Sequence, residues 1–388
     1  MSLTPKSCDI FCTVVDNYGD IGVSWRLARQ LAHEHGVDVR LWVDDLHSFA
    51  KLCPEVDVDL NEQLCCGIEV RHWGKDSPDA IPADLVIEAF ACKLPESYVE
   101  AMAVQECKAV WLNLEYLSAE DWVEGTHCLP SPHLRLPLDK YFFFPGFTDK
   151  TGGLLLEQDL LARRDEFQVD PARQQVFWKS VGVPAREAGE VRVSLFSYEN
   201  AALSDLLQAW VQGETPIVCC VPEGRVLPQV AEFFAQESAK AGDEWQRGNL
   251  RVHVLPFVEQ QRYDELLWAC DVNFVRGEDS CVRAQWAAKP FVWHIYPQHD
   301  GVHMDKLRAL SNLYGLGLPA MAQQANEVLW LAWNGEGDVA SAWRTFEMQQ
   351  NVLKNHAHSW SGKLAGNSLA LNLLDFSREF GRIRALKK

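Results

Sequence analysis

The chain has 388 residues and a mass of 43.9 kDa, with 47% hydrophobic and 23% charged residues. That balance belongs to a folded protein of two or three domains and excludes a disordered or fibrous architecture. A formal charge of −18, from 36 basic and 54 acidic residues, excludes broad binding to a phosphate backbone, which needs a basic footprint. It leaves room for a cationic partner surface, or for a small anionic ligand held at one local basic spot. The longest apolar runs, such as Ile217 to Val221, fall far short of the ~20 residues of a membrane span. Met1 to Asp9 has none of the basic and apolar regions of a secretory signal. The expected location is cytoplasmic, with neither membrane nor nucleic acid as a partner. None of the twelve cysteines forms a Cys-x-x-Cys pair, so buried, reduced thiols are expected rather than a zinc or redox motif.

In chain order, Cys8 to Val15 is a short apolar run ending at the turn-rich Asp16-Asn17-Tyr18-Gly19-Asp20. Helically spaced Trp25, Leu27, Ala28, Leu31 and Ala32 follow, with Gly36 as a C-cap. Val37 to Val43 reads as a strand, Asp44 to Cys53 as a helix, and Gly67 to Trp73 and Asp84 to Ala89 as strands. A helix runs from Pro95 to about Glu106, and Ala109 to Leu114 is again a strand. Pro130 to Gly153, rich in proline and carrying the run Tyr141 to Phe147, reads as a linker and lid. Leu154 to Phe167 and Ala172 to Ser180 read as helices.

The alternation then restarts, with strands at Val191 to Ser197, Pro216 to Val221, Leu250 to Leu255, Val272 to Val275 and Phe291 to Ile295. Helices are expected between them, at Leu203 to Val211, Val226 to Ala239, Gln260 to Cys270 and Ser280 to Ala288. From Val302 onward the pattern is helical, ending in a long segment from Leu364 to about Arg384. Strand–helix alternation of this kind specifies parallel sheets covered by helices on both faces. The expected domains are 1–150, 151–360 and a C-terminal helix, 361–388, packing back on the first. Ligands of such sheets bind at the C-terminal strand ends, across the cleft two such domains would form.

Four strand-end segments are candidates for chemistry. Asp16 to Gly22 lacks the full G-x-G-x-x-G fingerprint, and its acids would repel a pyrophosphate, so a nicotinamide enzyme is disfavoured. Either Asp20 is a helix N-cap and Gly19 a turn residue, or Asp16 and Asp20 form a general base or a cation clamp. In Arg276-Gly277-Glu278-Asp279-Ser280, glycine allows a sharp turn into a helix whose amides, with Arg276 and Ser280, suit an anion. Glu278 and Asp279 are then either first-turn acids or partners of sugar hydroxyls. Phe257 and Gln260 either hold a nucleobase or, for Phe257, pack in the core. Phe196 and Tyr198 belong to the same rim. His294, His299 and His303 match no metal spacing, and Asp44-Asp45 is weak as a metal pair. No Gly-x-Ser-x-Gly elbow supports serine hydrolysis.

The motifs Asp16-Asn17-Tyr18-Gly19-Asp20-Ile21-Gly22, Arg276-Gly277-Glu278-Asp279-Ser280 and Tyr296-Pro297-Gln298, in this order and spacing, resemble the bacterial protein-arginine rhamnosyltransferases that modify translation elongation factor P. The resemblance runs over essentially the whole chain. It implies an α/β GT-B glycosyltransferase fold, with two facing Rossmann-like domains and a helical C-terminal tail. It also implies a metal-independent, inverting transfer of rhamnose from dTDP-β-L-rhamnose to one arginine of the factor, with no cofactor beyond that donor. By position, Asp20 is similar to the family's general base and Glu278 to its second essential acid. Asp16, Asn17, Tyr18 and Gly19 then fall in the acceptor loop. Tyr198, Phe257, Gln260, Arg276, Asp279 and Ser280 match the nucleotide pocket, with Phe196 and Tyr296 beside them. The factor is itself expected to be acidic, so recognition would rest on shape and local contacts. The rival readings are a sugar-nucleotide epimerase on the same fold and a non-catalytic module that binds the factor.

Overall fold

A computed structural model describes residues 5–15, 18–74, 80–298 and 300–386, the last six of these as backbone. The chain divides into two compact units, Met1–Gln158 with Leu364–Lys388, and Asp159–Lys363.

The first unit opens with β1 (Ser7–Cys12), α1 (Gly19–His35), β2 (Asp38–Val43), α2 (Leu46–Leu52), β3 (Glu62–Cys65) and β4 (Ile68–His72). It continues through β5 (Leu85–Ala89), α3 (Glu96–Val104), β6 (Val110–Leu114), α4 (Trp122–Thr126), β7 (Pro130–Pro132) and β8 (Asp139–Phe143). These strands form one sheet in the order β3-β4-β2-β1-β5-β6-β8-β7. Alternation along β1 separates its two faces, as the two-residue period of a strand requires. Cys8, Ile10 and Cys12 join a core with α1 residues such as Trp25, Leu27 and Leu31, while Phe11 packs with Trp42, Trp73 and Tyr98 on the other side. On that second face lies Asp9, fully buried. Its carboxylate accepts from Arg40 Nε and Nη2 at 2.6 Å, Trp42 Nε1 at 3.0 Å, the Ala83 amide at 3.0 Å, and the Tyr98 hydroxyl.

The second unit comprises α5 (Leu160–Val169), α6 (Pro171–Ser180), β9 (Val191–Leu195), α7 (Leu203–Gln212), β10 (Ile217–Val221), α8 (Leu227–Phe233), β11 (Glu244–Arg247) and β12 (Leu250–Val254). Next come α9 (Gln260–Ala269), β13 (Val272–Arg276), α10 (Asp279–Trp286), β14 (Phe291–His294) and α11 (Val302–Gly315). Helices α12 (Ala320–Trp333), α13 (Val339–Met348) and α14 (Gln350–Leu364) follow, and α15 (Leu369–Leu386) returns to the first unit. The sheet order is β11-β12-β10-β9-β13-β14.

The structure corrects three sequence expectations. Neither sheet is wholly parallel: β3–β4, β7–β8 and β11–β12 are antiparallel edge pairs. The segment from Pro130 to Gly153 is not a lid, because Asp139–Phe143 extends the first sheet beside β6. Its aromatics are structural there, with Tyr141 and Phe143 packing against Phe376 of α15. Gly153 (φ 78) is needed because a Cβ would lie 2.4 Å from the Asn367 carbonyl, where the chain meets the segment entering α15. The helix expected from Leu154 instead starts at Leu160, since Leu154 is held extended in a bridge to Ser368. The twelve cysteines are free, all but Cys66, Cys107 and Cys128 are buried, and no helix among the described residues is long and apolar enough to cross a membrane.

Candidate functional site

In the first unit the candidate residues lie where β1 ends. Asp20 is not the cap of α1. Tyr18 occupies the N-cap position without a side-chain cap bond, and Asp20 lies within the first turn. Its buried carboxylate turns back and accepts from the Val15 amide at 2.9 Å. The preceding amide, Val14, donates to Asp44 Oδ1 at 2.9 Å. Two carboxylates thus fix consecutive peptides of the loop, which gives Asp44 a structural role. Asp45 caps α2 through the Ser48 amide, so the Asp44-Asp45 pair serves the backbone. Tyr18 and Gly19 are half-buried at the helix start, whereas Asp16 and Asn17 lie outside the described residues.

In the second unit the structure brings most of the expected donor residues together. Arg276 ends β13 with its guanidinium 4.6 Å from the Phe196 ring centre and 4.7 Å from that of Tyr198. Gly277 takes a left-handed turn (φ 59), and its carbonyl accepts from Trp293 Nε1 at 2.6 Å. Ser280 Oγ accepts from the Arg276 amide at 3.0 Å and donates to the Arg276 carbonyl, so it closes the turn into α10 and its proton is already used. Asp279 starts α10 and accepts from Gln260 Nε2 at 3.4 Å. Glu278, the N-cap residue, pairs with Lys306 Nζ at 3.2 Å. Tyr198 meets Tyr296 edge to face at 5.4 Å. Phe257 is 37% exposed and Tyr296 43%, which places Phe257 at the surface and removes its core reading.

Three residues join this site that the motifs did not single out. Lys306 comes from α11, and nothing in the loop sequence announces it. Tyr263 packs edge to face on Phe196, 5.7 Å between ring centres. Asp264, beside it on α9, receives Arg283 through two 2.7 Å bonds. The three- and four-residue spacing of Gln260, Tyr263 and Asp264 puts them on one helical face, a signal that was available.

His294 closes the floor of this site, between the rings of Tyr198 and Trp333. Burial first, then electrostatic repulsion from Arg276 and the neighbouring His303, pushes its imidazole down to about 4. It is neutral at pH 7 and is no candidate cation. His303 Nδ1 accepts from the Gln298 amide at 3.2 Å, and His299 lies outside the described residues. Because the unfolded chain binds this proton near ~6.5 and the folded one near 4, stability should fall as pH drops through that window, by up to about 3 kcal/mol. His294→Phe should flatten the melting temperature between pH 7 and 4.5 relative to wild type. His127, also held near 4 by burial, is common to both proteins and cancels. Identical pH slopes would assign the titration to another group.

Residues 8–378 match the family model described as elongation factor P (EF-P) rhamnosyltransferase EarP. The protein-arginine rhamnosyltransferase of Pseudomonas putida KT2440 is 50% identical over 371 residues, covering 95% of this chain and 98% of that protein. That of Shewanella oneidensis MR-1 is 43% identical over 387 residues, covering 96% and 97%. A solved structure on EarP-mediated arginine glycosylation of translation elongation factor EF-P matches with a TM-score of 0.70 at 38% identity, over 96% of this chain and 99% of that one. MurG of Acinetobacter baumannii shares the fold, at 15% identity and a TM-score of 0.50 over 97% and 100% of the two chains. The two sheets with their helical tail are the GT-B glycosyltransferase fold. Matched over nearly its whole length, the chain belongs to the EF-P rhamnosyltransferase family, EarP.

Proposed function

We propose that this chain, a protein-arginine rhamnosyltransferase by family, moves L-rhamnose from dTDP-β-L-rhamnose to one arginine of EF-P with inversion and without a metal. The observation that carries the reading is the family match over residues 8–378, with half-identity to a named protein-arginine rhamnosyltransferase. Arg276 and the first amides of α10 would hold the diphosphate and stabilise its charge as it leaves. The rings of Phe196 and Tyr198 fix the guanidinium in place for that task. Phe257 and Gln260 would face the base, Glu278 and Asp279 the sugar hydroxyls, and Tyr296 the rim.

An arginine guanidinium keeps its proton until the reaction, since its pKa exceeds ~12 and a carboxylate titrates near ~4. Asp20 would orient the guanidinium and take one proton as the new C–N bond forms. The anomeric C–O bond breaks in the same step, and dTDP departs with its electron pair. Asp16 would help hold the cation. One base on the face opposite the leaving group is sufficient for inversion.

Mass spectrometry of EF-P after incubation with the enzyme and dTDP-rhamnose tests the reading. A single deoxyhexose on one arginine is expected; unmodified factor would overturn it, and an altered free sugar nucleotide would favour an epimerase. In parallel, Arg276→Ala should weaken dTDP binding about tenfold to a hundredfold, the loss of one charge-assisted contact. Calorimetry finding unchanged affinity would take Arg276 out of the donor site.

A further inference from the structure

Beyond Asp20, the first unit presents a second feature at the same sheet edge. The registers Cys12↔Ala89, Ala89↔Leu114 and Leu114↔Phe143 leave Thr13, Phe90, Glu115 and Phe144 abreast, one residue past each strand. Phe90 (φ 58) and Ala91 (φ 56) are consecutive non-glycine residues in the left-handed region. Such a pair persists only where its surroundings hold it. Here the Phe90 amide donates to the Leu114 carbonyl at 2.7 Å, and the Ala91 amide donates to Oδ1 of buried Asn113 at 3.0 Å.

The turn sets the Phe90 ring against that of Tyr116, stacked at 4.8 Å and 24°. Phe90 rests on the core that also seats Val14, whereas Tyr116 is 39% exposed. Asn113 donates through its amide nitrogen to Glu115 Oε1, which fixes the carboxylate of the residue just before Tyr116. A guanidinium stacks on a π-face and donates to a carboxylate, and the loop past β6 carries one of each at Tyr116 and Glu115. The substrate of this family is an arginine side chain, so charge and shape point to one occupant.

We infer that Phe90, Tyr116 and Glu115 form a positioning platform for the arginine side chain that the acceptor protein presents to Asp20. This rests on the proposed assignment of Asp20 as the base. The platform acts on acceptor binding and leaves the donor untouched.

Steady-state kinetics with EF-P as varied substrate tests it. Tyr116→Ala and Tyr116→Leu should raise KM for EF-P roughly 3- to 30-fold, with dTDP affinity and melting temperature unchanged. Tyr116→Phe should restore the KM, since the ring face remains, and Glu115→Gln should raise it again. An unchanged KM in both Tyr116→Ala and Tyr116→Leu would overturn the platform, as would a fall in melting temperature and dTDP affinity together. Asp20→Asn in the same assay separates the two levels. If it is inactive while Tyr116→Ala binds EF-P normally, only the platform fails; if it is fully active, base and platform fail together.

Discussion

Replacing Asp20 by asparagine should lower rhamnose transfer by roughly 10²–10⁴-fold, the usual contribution of a positioned acid–base group. The substitution keeps the shape and an oxygen able to accept from the Val15 amide ahead of it. Tyr18 holds the N-cap position, so the start of α1 does not depend on residue 20 as a cap. Asparagine cannot take up the proton released as the C–N bond forms. Melting temperature and dTDP affinity should therefore match wild type while EF-P stays unmodified in a timed mass-spectrometric assay. Near wild-type turnover would remove Asp20 as the base and pass the role to Asp16 or Glu278. Loss of both folding and donor binding would instead mark it as a structural carboxylate.

The second large effect concerns a buried ion pair beneath the proposed donor site. Arg283 and Asp264 are almost wholly buried and meet through two 2.7 Å hydrogen bonds, linking α10 to α9. Asp264→Asn preserves the volume but leaves the guanidinium without its carboxylate. Breaking such a pair from one side costs about 3–5 kcal/mol. Denaturant unfolding should show that loss, and dTDP affinity should fall with it, because the same two helices carry Gln260 and Asp279. The double variant Asp264→Leu/Arg283→Met should recover much of the stability, since no unpaired charge then remains. A loss under about 1 kcal/mol for Asp264→Asn would mean that Arg283 is solvated by other groups.

The inner strands of both sheets were legible because burial on two faces writes them as apolar runs: Ile217–Val221 and Leu85–Ala89 have no exposed residue. The edge strands were not. Glu62–Cys65 and Glu244–Arg247 are polar and mostly exposed, so only pairing with a neighbour makes them strands. Asp139–Phe143 was hidden among prolines, and its aromatics make sense only once α15, more than two hundred residues later, packs on them. At the site, the strand-end loops were readable as places for chemistry. The direction of a single carboxylate was not: whether Asp20 turns toward the helix amides or back to Val15 is decided by a loop also held by Asp44, from another strand end. Lys306 was invisible for a related reason, since its partner Glu278 lies in a different element.

The return of α15 to the first unit has a consequence for the order in which the protein matures on the ribosome. Asp159–Lys363 is continuous and can complete its core once it has emerged, whereas the first unit includes residues made after it. Leu369, Ala370, Leu373 and Leu374 sit in the same hydrophobic cluster as Ile10 and Leu27, and Gly153 is shaped to meet Asn367. The strands of the first unit must therefore wait, with part of that apolar surface uncovered, until α15 has been made.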